Sequence, residues 1–389
     1  MKPLEGITVL DFSQFLSGPS ASLRLADLGA EVIKIEKTGN GDICRQLYVT
    51  NVKIDGESSI FHTINRNKDG ISVDLKNDDE YDKLIPLIEK ADIIIINFRP
   101  GVSKKLKLDY ERIKKINPKI IYAEITGYGK EGPWKDLAGQ DLLVQSISGL
   151  SYLNGNSNQP PTPFGLSVAD MFAGQHLVQG ILGSLVKREI KGEGSLIEVS
   201  LLESILDIQF ELFTTFLNDG NELPERSSIN NANAYIGAPY GIYETSDGYI
   251  ALAMVPVTYL GELISCRELE EYTDPKTWST KRDEIKSILV SHLKTETTSY
   301  WLEILEKADI WCSDVYSWDK LFETDGFKQL NMIQKIKVNS EVEIETTRCP
   351  IRIDKELYTS QKGSPKIGEH NTKYLCKERG NKNGKRNLL

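Results

Sequence analysis

An apolar run, an amphipathic stretch and a second apolar run follow one another within residues 7–36, and this order restricts the fold more than any other feature. Ile7-Thr8-Val9-Leu10-Asp11-Phe12-Ser13 has the near-continuous hydrophobicity of a strand buried on both faces. Gly18-Pro19-Ser20 breaks it. Ala21 to Leu28 then places apolar residues at 21, 23, 25, 26 and 28, a helical spacing, and Gly29 stops the helix. Glu31-Val32-Ile33-Lys34-Ile35-Glu36 reads as the next strand. Two buried strands joined by a helix form a parallel βαβ unit. The alternation continues, with strands expected at 71–75, 91–98, 119–126 and 195–199. Helices are expected at 78–90, 102–116, 139–152, 167–190 and 200–217. Such a pattern predicts an α/β fold: a doubly wound, Rossmann-like large domain over 1–217, binding ligands at the carboxyl ends of its strands.

Beyond that domain the composition changes. Residues 218–236 are polar and read as a linker, and 237–330 as a smaller α+β domain. Tyr240–Glu244 and Tyr249–Ala253 flank Asp247-Gly248, a hairpin signal resting on the positive φ that Asp-Gly supplies. Residues 338–353 return to strand character, and 331–372 are assigned back to the large domain; 373–389 form a flexible, basic tail, read as a frayed end. The net charge is −9 over 389 residues, which argues against nucleic acid as a partner. No apolar run approaches the ~20 residues of a membrane span. The opening residues lack the apolar core of a signal peptide. Five scattered cysteines without a C-x-x-C pair, and four histidines without ligand spacing, predict neither disulfides nor a metal site. A cytoplasmic protein that engages no membrane is expected.

The chemistry must come from the strand ends. The first βα turn, Ser13–Pro19, lacks G-x-G-x-x-G and lacks the G-x-x-x-x-G-K-[ST] phosphate loop, which argues against a simple NAD enzyme or a nucleotide triphosphatase. Two other strand ends are basic: Lys37 after 31–36, and Arg99 after 91–98 with Lys104, Lys105 and Lys107 beyond it. Cations beside a helix N-terminus can hold phosphate; they can equally decorate a solvated surface helix. Asp170 lies among small and apolar residues, Gly165 to Gly174. By pattern alone it reads first as a helix cap. Asp141, in Gly139-Gln140-Asp141-Leu142, is similarly ambiguous.

Taken in order, the motifs resemble the class III coenzyme A transferases, the CaiB/BaiF family that includes formyl-CoA transferase. The resemblance runs from about residue 3 to 372. It is carried by Leu10-Asp11-Phe12, Ser17-Gly18-Pro19, Leu28 to Glu36, Gly41-Asp42 with Arg45, and Asn65-Arg66-Asn67-Lys68. Val73-Asp74-Leu75-Lys76, Asn97 to Gly101, Thr126-Gly127-Tyr128-Gly129, Asp170, Pro350-Ile351-Arg352 and Gly368-Glu369-His370 complete it.

The resemblance implies an enzyme that moves CoA between carboxylic acids, with Asp170 as nucleophile and Gln140 and Asp141 beside it. It implies an aspartyl anhydride and then an aspartyl-CoA thioester, with CoA thioester as substrate and no permanently bound cofactor. CoA would lie along Leu16, Lys37, Val73, Asp74, Leu75, Lys76, Asn97, Phe98, Arg99 and Lys105. An open-ring monomer in an interlocked homodimer is also implied. Lys37 and Lys105 stand where the family has arginines, keeping the charge but losing the fork. Leu16 replaces a glutamine and Ala138 a lysine. Asn230-Asn231-Ala232-Asn233 precedes Gly237 where a glycine-rich covering loop is expected. These departures argue against formyl-CoA and oxalate. The related 2-methylacyl-CoA racemases use a histidine where this chain has Gln140, which cannot serve as a general base. A catalytically silent CoA-binding protein is the third reading.

Overall fold

The structure, a computed structural model, describes residues 2–47 and 52–375. Six parallel strands form the central sheet: β1 (Thr8–Asp11), β2 (Glu31–Glu36), β3 (Asp69–Ser72), β4 (Ile93–Ile96), β5 (Ile121–Thr126) and β6 (Ser195–Ser200). Their order is β3-β2-β1-β4-β5-β6, so the winding reverses between β1 and β4. The βαβ expectation is met, and the reversal is where doubly wound sheets generally bind ligands, at the carboxyl ends of the strands.

Strand parity explains the two buried faces. Leu10, Phe12, Ile33, Ile35, Ile94 and Ile96 join one core with Tyr81, Leu84, Ile88 and Ile113 of the flanking helices. Val9, Ile93 and Ile95, of opposite parity, are fully buried on the other face. There α1 (Ser17–Asp27) and the long α2 (Val168–Lys191) pack against each other and the sheet. Gly174 allows this: a Cβ there would lie 2.8 Å from the Ser17 carbonyl oxygen. Gly180 likewise meets Ile197, whereas Gly183 faces open space.

Several boundaries differ from those expected. The 78–90 helix is two, Asp78–Asp82 and Ile85–Lys90, the second admitting Pro86 in its first turn. The 102–116 helix breaks where Lys107 adopts φ +59° and Asp109 caps a new start at Tyr110. Helix 139–152 shrinks to Asp141–Ile147, and 200–217 divides into Leu201–Asp207 and Phe210–Asn218.

The chain's contacts define two compact units: 1–141, 168–204 and 331–389 in the first, 142–167 and 205–330 in the second. The expected large domain of 1–217 and the linker 218–236 had put 142–167 and 205–217 elsewhere. Hydrogen bonding gives the reason. Ser157 N–H donates to the Ser227 carbonyl at 3.0 Å, and Asn231 N–H to Asn156 Oδ1 at 2.9 Å. Arg226 donates to the carbonyls of Asn154 and Gln159. The polar stretch is therefore tied down within the second unit.

That unit holds a three-stranded antiparallel sheet, Gly241–Glu244, Tyr249–Leu252 and Cys312–Asp314, with helices around it. The hairpin forms, but neither Asp247 nor Gly248 has positive φ. Thr245 closes the turn instead, pairing with Gly248 through backbone and side chain at 2.9 and 3.0 Å.

Residues 331–375 belong to the first unit. Arg45 donates to the Pro365 carbonyl, and His370 Nδ1 accepts the Gly70 N–H. The expected tail begins too early. Lys373 and Tyr374 sit in the helix Asn371–Leu375, and both bond to Glu31 and Asp69. Residues 376–389, the rest of that tail, lie outside the described residues.

Candidate active site

Asp170 occupies the first turn of α2 and is half-buried. Its backbone N–H is one of the donors that an α-helix leaves unpaired. Asp141, 5% exposed, accepts that N–H through Oδ2 at 3.1 Å. The capping role that pattern offered to Asp170 is thus taken by Asp141. The Asp170 carboxyl is left to the Ser17 hydroxyl, which donates to it from the first turn of α1. Burial, then the Asp141 charge, push the Asp170 pKa up to about 6; the Ser17 bond partly offsets them. Ser17 follows the end of β1 and Asp141 the loop after β5, so Asp170 lies at the carboxyl edge of the sheet. Gln140, between Gly139 and Asp141, is exposed.

A buried ionic platform shapes the loop that carries Ser17. Asp11, fully buried, accepts from Lys68 at 3.1 Å, from Ser22 at 2.5 Å, and from the backbone and hydroxyl of Ser13. Burial opposes its ionisation, but Lys68, Lys34 and the two hydroxyls outweigh it and hold the pKa near about 2. Lys34, also fully buried, pairs with Asp42 at 2.9 Å and donates to the Ser13 carbonyl at 2.8 Å. Gly18 rests on Ser13, where a Cβ would approach the Ser13 side chain to 2.2 Å. Arg45 clamps Glu36 with two bonds at 2.6 and 2.8 Å and lies 3.8 Å over the Phe61 ring. In the sequence these residues stand out as family landmarks without disclosing their physical task. The available signal was Lys34, a charge inside an apolar strand, where an unpaired lysine is almost never fully buried.

The expected CoA residues all follow the carboxyl ends of β1, β2, β3 and β4. Lys37, Arg99 and Lys105 are exposed and have no ion-pair partner among the described residues. The helix beyond Arg99 is a single turn, Val102–Lys105, so the expected dipole contribution to phosphate binding is small. Lys76 is exposed, and its N–H donates to the half-buried Asp74 at 3.0 Å. Leu75 and Phe98 pack partly onto the sheet's core, leaving one side open. Val73 is 1% exposed and committed to that core, so only its backbone can face a ligand. Asn97 is likewise engaged: its amide accepts the Gln14 N–H at 2.8 Å and donates to the Gln14 carbonyl at 2.6 Å. It bridges the winding reversal. Leu16 immediately precedes α1 and packs against Cys44, Phe61 and Ile64.

Among the described residues, no group of three His, Cys, Asp or Glu side chains is placed to hold a metal ion. No described helix is long and apolar enough to cross a membrane.

A doubly wound α/β unit carries a half-buried carboxylate, with three exposed cations following the carboxyl ends of its strands. Comparison with known proteins gives the family. The family model for CoA-transferase family III matches residues 4–371. The succinate–glutarate CoA-transferase of Agrobacterium fabrum is 30% identical, over 96% of this chain and 95% of its own. The formyl-CoA:oxalate CoA-transferase of Streptomyces coelicolor is 30% identical, over 97% and 96%. The crystal structure of a CAIB/BAIF family protein from Brucella suis superposes with a TM-score of 0.82 at 29% identity, over 96% of this chain and 98% of that one. The chain belongs to CoA-transferase family III and is an enzyme of that family, acting on CoA thioesters.

Proposed function

We propose that the enzyme carries CoA from an acyl-CoA to a carboxylic acid through covalent intermediates on Asp170. One observation carries this reading: Asp141 caps the helix, so the Asp170 carboxyl is not consumed as a cap. The Asp170 carboxylate attacks the thioester carbonyl. The C–S bond breaks, giving a mixed anhydride and CoA thiolate. The thiolate attacks the aspartyl carbonyl, releasing the donor acid and leaving an aspartyl-CoA thioester. The acceptor carboxylate displaces the thiolate to form a second anhydride, and the thiolate then takes the acceptor acyl group and frees Asp170. Each step exchanges acyl groups of similar energy, so no ATP is needed. The nearby carboxyl replaces an encounter in solution by a positioned attack.

The rim Lys37, Arg99 and Lys105 supports placing the nucleotide phosphates there. Leu75 and Phe98 support the adenine and pantetheine wall, while Val73, Asp74, Lys76 and Asn97 shape it. Relatives acting on succinyl-CoA and glutarate make these the first substrates to assay. Leu16 and Ala138 argue against formyl-CoA and oxalate. An interlocked homodimer belongs to this reading, supported by the return of the chain to the first unit after residue 330. So does a cytoplasmic location, supported by the free thiols of Cys44, Cys266, Cys312 and Cys349.

The test is trapping. Hydroxylamine added with acyl-CoA, before any acceptor, should modify the wild type at Asp170. Asp170→Asn should fold, bind acyl-CoA and lose essentially all turnover. Substantial turnover by that variant, or an adduct on Asp141 or Glu203, would refute the assignment.

A further inference from the structure

Gly127 and Gly139 touch backbone to backbone. A Cβ on Gly127 would lie 2.6 Å from the Gly139 Cα, and one on Gly139 would lie 2.5 Å from the Gly127 Cα. Neither has positive φ, so close approach, not turn geometry, is what demands glycine. The contact closes the loop between them. Its first limb is tied to the sheet. The Gly127 carbonyl accepts Leu202 N–H at 3.1 Å, and Thr126 Oγ1 accepts Gly129 N–H at 3.0 Å. Lys130 pairs with Glu124 at 2.6 Å and Glu198 at 2.8 Å. The second limb runs from Gly139 through Gln140 into Asp141, which holds the Asp170 N–H.

We propose that this glycine clasp is a positioning device for the reaction. It fixes Asp141 against the sheet, and through Asp141 it sets both the orientation of Asp170 and the ease with which Asp170 loses its proton. Neither glycine touches substrate. The proposal rests on Asp170 being the nucleophile. The charges on the elements packed against α2 are otherwise occupied. Arg24 and Asp27 of α1 pair with each other, and Glu124 of β5 and Glu198 of β6 share Lys130. On α2 itself, His176 bonds Ser204 and Arg188 pairs with Asp92. The charge bearing on Asp170 is that of Asp141.

The experiment compares Gly127→Ala and Gly139→Ala with Gly132→Ala. The last strains a loop glycine with φ +82° but meets nothing within 4 Å. The readout is the acid limb of kcat/KM against pH, with KM for acyl-CoA and hydroxylamine trapping at Asp170. Clasp variants should move the limb down by about half to one unit, since burial outweighs Asp141 among the causes of the shift. Their kcat should fall roughly tenfold to a hundredfold, as for a small misplacement of a reacting group, with KM changed less than about twofold. Gly132→Ala should leave the limb in place. An unmoved limb in folded clasp variants would overturn the proposal. If the alanines do not fold, Asp141→Asn decides: it removes the charge but keeps an oxygen for the Asp170 N–H, so the limb must still drop. Absence of trapping at Asp170 in the wild type would instead overturn the nucleophile reading, which keeps the two failures distinct.

Discussion

Asp170→Asn should stabilise the first unit, and the gain should depend on pH. Folding raises the Asp170 pKa from 3.8 to about 6, because burial and Asp141 disfavour its charge. The folded state therefore binds this proton more tightly than the unfolded state does. Below 3.8 the group is protonated in both states and costs nothing. As pH rises through about 6 the folded protein carries a charge it disfavours, and stability is lost. Two units at 1.36 kcal/mol each set a ceiling of about 3 kcal/mol. Asp170 is only half-buried, so water screens part of this, and a gain on the order of 1–2 kcal/mol at neutral pH is expected. Asn still accepts the Ser17 hydroxyl bond, so that contact should not confound the comparison. Two units need not unfold together, so one melting curve is a poor gauge. Hydrogen exchange of α2 peptides reports on this unit, and comparison at equal pH cancels the intrinsic rate. The variant should match the wild type near about pH 4 and exceed it in protection above about pH 6. Equal protection throughout, or a gain that ignores pH, would refute the argument that the site holds a destabilised carboxylate.

The same carboxylate should govern the rate: kcat/KM rises with pH through about 6 as Asp170 ionises, and an acid limb near an ordinary carboxylate value would contradict its burial. Arg99→Ala should raise KM for acyl-CoA on the order of tenfold to a hundredfold with little change in kcat, as a lost charge-assisted phosphate contact predicts; an unchanged KM would place CoA elsewhere. Lys34→Met should cost about 3–5 kcal/mol, because it leaves Asp42 buried without its partner and the Ser13 carbonyl without a donor; hydrogen-exchange protection of β1 and β2 peptides within error of wild type would disprove the platform. A chiral 2-methylacyl-CoA in heavy water should take up no deuterium, since exposed Gln140 cannot shuttle a proton; rapid uptake without acceptor acid would indicate a racemase.

The sheet was legible because its strands declare themselves twice, by apolar runs such as Ile93 to Ile96 and by glycine stops such as Gly29. Helix interruptions were less so. The positive φ of Lys107 leaves no mark in an otherwise helical pattern. The division into units was hidden for another reason: segment 142–167 leaves the first unit within the first turn of a helix, where composition does not change. The bonds that tie it to residues 226–231 join positions distant in sequence.

Asp170 shows where pattern reading stops. An acid in a helix's first turn looks alike whether it caps the helix or faces a substrate, and its neighbours in sequence cannot distinguish the two. What the fold adds is Asp141, across 29 positions of chain, which takes the backbone N–H, and Ser17 on another helix, which bonds the carboxyl. Asp141 satisfies the backbone donor and places a second charge beside the first. The contact that frees the Asp170 carboxyl from structural duty thus also makes it costly to ionise. With Asp170 as the proposed nucleophile, acylation would remove the charge that burial and Asp141 oppose, so the electrostatics that raise the pKa would also favour the acylated form over the free carboxylate.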